Sequence, residues 1–363
     1  MIQKIQELKK NGRPVIGCFP LYPPLALFHS LDLNPVVLWG LKKDFRETPE
    51  SDQHLQNYTC SVARHLTEFL LSDAGSLVDG LFMYNACDTL RNLPEIIDSC
   101  LDAAGRKVPL FQIHVPMVPT AQTDGTDFFD NEINQLIKDV KSTFDRKFNP
   151  DKFMESIALF QNLRKTSLQL ESAVAMGRLS FQTVAETLHT AWAIPGYHRI
   201  EEVEGVLDQQ QDKGNADNPG ILLSGILPPP ASVSTAIEAS GLRIAGNDIA
   251  SLHRTYAVMP EADADPASYY RDFYFNHHPC PTLLFTGDRR VDALIERCRE
   301  TRSRGVIFVG EKFCEYEYFE FPYLEKKLQE KGIQTLLIEI AIDDEQTASH
   351  ISRIDAFAEM LKA

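Results

Sequence analysis

Seven cysteines stand at positions 18, 60, 87, 100, 280, 298 and 314, and three of them fall where a thiol can do chemistry. Cys87, in MYNACDTLRNL, and Cys314, in GVIFVGEKFCEYEYFEF, each follow an apolar run that reads as a buried strand. Cys60, in QNYTCSVARHL, follows a polar run near the start of a helical stretch. Open parallel sheets bind ligands beyond the carboxyl ends of their strands, so three thiols from distant loops can face one crevice. Three thiolates suit a [4Fe–4S] cluster and leave one iron corner open for a further ligand. Helix N-termini and loop N–H groups would offset its negative charge. A structural zinc site would want a fourth Cys or His and paired short spacings, which are absent. Scattered core thiols are the competing reading. Cys18 closes the first strand and is placed to approach the same crevice. Cys100 and Cys298 sit in helical patterns and read as packing, and Cys280 falls in a loop.

The elements that position these residues can be read from periodicity. PVIGCF (14–19), PVVLWG (35–40), DGLFMY (79–84) and PLFQIHV (109–115) are short apolar runs bounded by turn residues. Such runs read as buried strands. The stretches DQHLQNYTCSVARHLTEFLL and CDTLRNLPEIIDSCLDAA between them read as helices. From about 125 to 215 apolar residues recur at three- and four-residue steps, with breaks at Gly177 and at 194–196, which predicts a helical connector without strands. Strand candidates resume at 220–225, 242–247, 305–310 and 333–340, with helices at about 229–240, 289–303, 318–331 and 345–361. The expected fold is α/β: two doubly wound, Rossmann- or flavodoxin-like parallel-sheet domains joined by a helical segment, with units 1–124, 125–215 and 216–363.

Composition narrows the function. The chain has 363 residues, 44% of them apolar, enough for two cores, and a formal charge of −15 from 51 acids and 36 bases. Such an acidic surface repels phosphate backbones, so a nucleic-acid partner is not expected. No apolar run is long enough to span a membrane. The N-terminal MIQKIQELKKNGRP reads as a charged amphipathic helix without a secretory core. Widely spaced cysteines without an export signal imply reduced thiols in a cytoplasm. No P-loop, G-x-G-x-x-G, G-x-S-x-G or zinc-hydrolase signature occurs. The run His277-His278-Pro279-Cys280 invites a metal reading, but neighbours on an extended chain point apart, which favours a structural role. His29, His114 and His350 read as satisfied core or loop partners.

Along nearly its whole length the chain resembles the 2-hydroxyacyl-CoA dehydratase and class I benzoyl-CoA reductase family. LYPPLALFHSLDLNPVVLWG is similar to that family's Tyr-x-Pro-x-Glu-Leu opening. LQNYTCSVARHL, MYNACDTLRNL and EKFCEYEYFEFPYLEKKLQEKGIQTLLIE resemble its three cysteine segments, in order, and SRIDAFAEML its ending. The resemblance implies a [4Fe–4S] cluster held by Cys60, Cys87 and Cys314. It implies pairing with a paralogous subunit, or with itself, and a separate ATP-hydrolysing iron–sulfur activator, which accounts for the missing P-loop. The low-potential electron would pass to an acyl-CoA thioester, whose ketyl radical expels a hydroxyl in the dehydratases; in the reductases an aromatic ring is reduced. The chain would thus be a subunit of a lyase or of an oxidoreductase.

This sequence departs from the family at Ala26, where Glu is usual, at Leu31-Asp32 in place of Ala-Gly, and at His350 and Ser352 in the tail. An electron-relay or structural partner subunit, and a cluster-free acyl-CoA-binding module, are the alternatives. A double-cubane branch is disfavoured by Pro20 and Ile249, which stand where that branch has cysteines. Arg64 and Arg91, each four residues after a cysteine, read either as offsetting cluster charge or as solvated surface arginines. Glu315, Glu317 and Glu320 read as a solvated face or as favourable charges near a helix start, with proton transfer the competing reading, and Tyr316, Tyr318 and Phe319 as either a wall against water or core.

Overall fold

The computed structural model describes residues 1–116, 126–211, 217–283, 287–340 and 348–362. The first half carries strands β1 Val15–Cys18, β2 Asn34–Val37, β3 Gly80–Tyr84 and β4 Leu110–Ile113. Its helices are α1 Ile2–Lys9, α2 Leu25–Ser30, α3 Ser61–Leu71 and α4 Asp88–Ala103. A helical run follows: α5 Thr126–Phe144, α6 Pro150–Ala175, α7 Phe181–Ala193 and α8 Tyr197–Leu207. The second half carries β5 Gly220–Gly225, β6 Arg243–Ile249, β7 Ser303–Glu311 and β8 Gln334–Ile340. Its helices are α9 Ala231–Ala239, α10 His253–Tyr256, α11 Pro266–Phe275, α12 Arg289–Thr301, α13 Glu315–Gln329 and α14 Ala348–Lys362.

The strands form two four-stranded sheets of order β2-β1-β3-β4 and β6-β5-β7-β8, with every pair parallel. The two sheets thus share one topology. The central strands β1, β3 and β5 are buried at every position, as continuous apolar runs covered on both faces should be. Of the edge strands, β2 and β6 are buried at every position and β4 and β8 are partly exposed. All eight strand candidates are present, and the expected connector is helical. The proposed limits at 124–125 and 215–216 lie outside the described residues, as does the start of the last helix near 345.

Local chemistry explains the helix ends that matter for the site. Asn149 caps α6, its side chain accepting the N–H groups of Asp151 and Lys152, with Pro150 in the first helical position. Beyond Ala175 the chain turns at Gly177, whose φ of 70° suits a residue without Cβ. The stretch 52–60, expected to begin a long helix, instead holds a short 3₁₀ turn at Ser51–Gln53 and further turns. Cys60 therefore stands at the N-cap of α3. Helices α2 and α11 had no clear periodic signal; α11 starts on the Asp265 cap, whose carboxylate accepts from Ser268 N–H.

The halves are joined by buried polar contacts as well as by a common core. Tyr22 Oη donates to the Ala250 carbonyl at 3.1 Å, and Tyr274 Oη to the Tyr22 carbonyl at 2.8 Å. The Leu27 N–H donates to Tyr270 Oη at 2.9 Å.

Candidate functional site

Cys60, Cys87 and Cys314 are the N-cap residues of α3, α4 and α13. All three line one cavity of about 60 Å³, with Phe19, Leu21, Val62, Ala86, Leu90 and Ile226 among its apolar walls. Cys87 and Cys314 stand at matching places in the two halves, three residues beyond the ends of β3 and β7 (Tyr84 to Cys87, Glu311 to Cys314). Phe313, just before Cys314, has φ 67°, a left-handed conformation that is strained for a residue with a large side chain. That turn brings the β7 strand end into the start of α13. Ser61 Oγ donates to the Glu311 carboxylate, a direct bond from α3 to β7 across the halves.

Burial raises all three thiols. Cys60 is pushed up to about 12 by burial and by neighbouring Cys87 and Glu311, while the backbone amides of Ala63 and Val62 oppose the rise. The amides of Leu90 and Thr89 do the same for Cys87, and that of Glu317 for Cys314. Each sulfur thus feels the positive end of a helix, and the three thiols feel one another. As neutral thiols they are poor nucleophiles; a bound cationic centre would reverse the shift by drawing off the protons. Among the described residues no three or more His, Cys, Asp or Glu side chains are gathered to hold a metal ion. Ligands of a single ion must converge on one point, whereas ligands of a polynuclear cluster bind separate irons and stand farther apart. Soft thiols, helix N-termini and an apolar wall make a donor set that fits an iron–sulfur cluster.

Two charge clusters are buried beside β6, one around Asp248 and one around Glu171 of α6. Asp248 accepts from Arg254 Nη2 at 3.0 Å, Arg290 Nη1 at 2.7 Å and Ser224 Oγ at 2.8 Å, with His278 Nε2 at 3.3 Å. Burial alone would raise this carboxyl, but Arg254 and Arg290 outweigh it and hold it well below the usual range. Glu171 accepts from Asn247 Nδ2 at 2.7 Å, Tyr256 Oη at 2.8 Å and Arg297 Nη2 at 2.5 Å, and pairs with His253 Nδ1 at 2.7 Å. Burial is again outweighed, by His253 and Arg297, which hold Glu171 at about 2.

Several sequence expectations change here. Glu317 is not on a solvated face: its side chain is 12% exposed, and burial, only partly opposed by Arg254 and Arg290, raises it to about 7. Glu320 accepts from Arg290 Nε at 3.3 Å, and only Glu315 is exposed. Arg64 turns away from the cavity to Asp52, at 2.5 Å, and to Thr48. Arg91 pairs with Asp88 at 3.2 Å in solvent. Tyr316 lines the cavity, but Tyr318 donates to Glu339 at 2.9 Å and Phe319 is 80% exposed. Cys18 is buried within β1, its Sγ 3.6 Å from the Ile16 carbonyl, and does not reach the cavity. His277 Nδ1 bonds the His278 carbonyl at 2.8 Å, and Cys280 is packed against Tyr22 Oη and Arg254 Nη1, each at 3.5 Å, so that run is structural. His29 bonds Ser156 at 2.8 Å and His114 pairs with Glu132 at 3.4 Å, but His350 Nδ1 is buried without a hydrogen bond among the described residues.

Sequence reasoning missed two further spaces. A groove of about 630 Å³ is lined by Lys4, Lys42 and Lys43 and by the Pro228–Pro230 turn, and shares Trp39 and Glu311 with the thiol cavity. A smaller aromatic cavity shares Trp39 with both. The residues come from stretches as far apart as α1, α2, α6, α7, α11 and the β5–α9 turn, so no local motif announces them.

Two parallel α/β units with thiols at their facing strand ends form a ligand-binding scaffold of the open-sheet type. Sequence comparison gives it a family: the 2-hydroxyglutaryl-CoA dehydratase D-component profile (HGD-D) matches residues 20–361, and the chain belongs to that family. It is similar to the (R)-phenyllactyl-CoA dehydratase beta subunit of Clostridium sporogenes, with 22% identity over 98% of this chain and 94% of the relative. A benzoyl-CoA reductase subunit of Thauera aromatica is 24% identical over 97% and 92%. The beta subunit of (R)-2-hydroxyglutaryl-CoA dehydratase from Acidaminococcus fermentans is 22% identical over 98% and 95%. The similarity runs through both halves and the connector.

Proposed function

We propose that this chain is the iron–sulfur subunit of a radical acyl-CoA enzyme, with Cys60, Cys87 and Cys314 as the ligands of a [4Fe–4S] cluster. The observation that carries the reading is the convergence of three helix-capping thiols on one apolar cavity. When bound, the cluster would supply single low-potential electrons to an acyl-CoA thioester. The chain's own residues do the rest. Leu21, Val62 and Ile226 exclude water from the thiols. The helix amides beyond each cysteine stabilise negative charge at sulfur. The neighbouring groove is of ligand size, and its lysines suit the phosphates of coenzyme A, although Lys43 already stands 3.9 Å from Glu186. Glu311 and Trp39, shared by groove and cavity, mark where the thioester would lie.

The relatives are themselves named as subunits of larger enzymes, which supports assembly with a second subunit, paralogous or identical; an ATP-hydrolysing activator completes the proposed system. Units 1–124, 125–215 and 216–363 are the proposed domains, and a cytoplasmic site is proposed from the reduced thiols. No helix among the described residues is long and apolar enough to cross a membrane. A relay role is the second reading: Ala26, where the family has Glu, lines the aromatic cavity and supplies no acid there.

Anaerobically purified protein should hold about four irons and four sulfides per chain, and Cys314→Ser should lose most of both. An iron-free product after reconstitution would overturn the cluster. Calorimetry with acyl-CoA separates the two roles, since a relay subunit alone binds none.

A further inference from the structure

Arg164, on α6, is 4% exposed; the Tyr269 hydroxyl bonds its guanidinium, but its Nε and Nη1 have no hydrogen-bond partner among the described residues. Arg254 and Arg290, also buried, are each paired with a carboxylate, and buried Arg243 donates to the Ala175 carbonyl. Arg164 instead lies among rings, its guanidinium carbon 5.3 Å from the centre of Trp192 and 5.5 Å from that of Phe273. Cation–π contact recovers part of the desolvation penalty, not the hydrogen bonds. A leucine or methionine would fill this place at lower cost in stability, so the guanidinium and its two unmatched N–H groups are a place where a ligand could bind.

The aromatic cavity beside Arg164 has about 30 Å³ of free space, enough for one small polar group rather than a whole ligand. Two more of its lining residues carry buried donors without partners, Trp39 Nε1 and Ser251 Oγ. His189 also lines it, and burial lowers that ring to about 4, so it is neutral and adds no second cation. An apolar chamber with unmatched donors and one guanidinium suits a group that only accepts hydrogen bonds. A carboxylate is such a group, planar and matched to the fork of Arg. Trp39, His189 and Ala193 line this cavity and the large groove alike, which gives the rest of a ligand somewhere to lie.

We propose that the Arg164 chamber binds the terminal carboxylate of an organic acid whose other end extends into the groove. The inference deepens the acyl-thioester reading by giving the acyl group a carboxylate end, and rests on that reading only for what occupies the groove. The test uses the full chain purified in air, so that the cluster plays no part. Calorimetric titration with acetate and with succinate should show saturable binding at one site, and neutral butyramide none. Arg164→Met should weaken succinate binding about tenfold to a hundredfold, and Arg164→Lys less, because the charge stays while the fork is lost. Thermal unfolding of Arg164→Met checks the fold: a melting temperature equal to or above that of the wild type is expected once an unpaired buried charge is removed. A lower one, with no carboxylate binding by the wild type, would make Arg164 a packing residue and overturn the proposal. Equal binding of phosphate or chloride would overturn the carboxylate class. Carboxylate binding without binding of any acyl-CoA would uphold the chamber and sink the acyl-thioester reading instead.

Discussion

At the carboxyl end of the first sheet, Gly17 of β1 lies beside Val36 of β2, and Cys18 beside Val37. At the matching end of the second sheet, Ser224 of β5 lies beside Asp248 of β6. The two sheets have the same strand order, yet one end is closed by aliphatic contact and the other by a buried carboxylate between two arginines. The cysteines divide in the same way. The connections after β3 and β7 each supply a capping cysteine to the cavity. The connection from β2 to β3 supplies Cys60 as well, whereas its counterpart from β6 to β7 holds Cys280, enclosed by Tyr22, Arg254 and Thr282. Shared topology therefore places Cys87 and Cys314 alike, while the β6–β7 connection keeps Cys280 and Cys298 buried away from the cavity.

Cysteine exchange tests that division with the largest expected effect. Cys87→Ser and Cys314→Ser, being matched in place, should lose most of the bound iron to the same extent, while Cys280→Ser keeps it. Iron and sulfide analysis of the three variants reads this directly, and loss in Cys280→Ser would mean that the enclosed thiol is a ligand after all. Next comes stability. Asp248→Ala removes the carboxylate that both buried arginines share, leaving Arg254 only the more distant Glu317 and Arg290 only Glu320, and should cost about 3–5 kcal/mol. Val36→Ala, at the matching row, removes only apolar contact and should cost about 1–3 kcal/mol. Urea unfolding of both variants makes the comparison, and equal costs would erase the contrast between the two ends.

The third effect is smaller and depends on pH. Glu171 is held at about 2 in the folded chain, against a reference value of 4.5. Its contribution is present above about pH 4.5 and is lost as pH falls toward 2, because the folded state must then take up a proton that the unfolded state already holds. The shift corresponds to about 3 kcal/mol. The stability gap between wild type and Glu171→Gln should thus narrow from pH 5 to pH 3, as followed by urea midpoints; a gap constant with pH would show that Glu171 is not depressed.

Much of this was legible in the chain. The strands are short apolar runs between turn residues, and the cysteines could be assigned to strand ends because a strand signal precedes two of them. What could not be read arises from packing between distant elements. Arg64 meets Asp52 because the turns at 51–60 fold back onto α3. Glu317 looks like any helix-surface acid in sequence, and only the β6–α10 connection, which brings Arg254 to it at 3.8 Å, makes it an inward one. The aromatic cavity draws residues from the β1–α2 connection through α11, and no spacing announces it.

The chain contains two tryptophans, Trp39 and Trp192, and both line the Arg164 chamber. Its indole fluorescence therefore comes entirely from the walls of one chamber, and Trp39 also borders the groove and the thiol cavity. Whatever enters these spaces will quench or shift that emission, so the protein carries its own optical probe of occupancy.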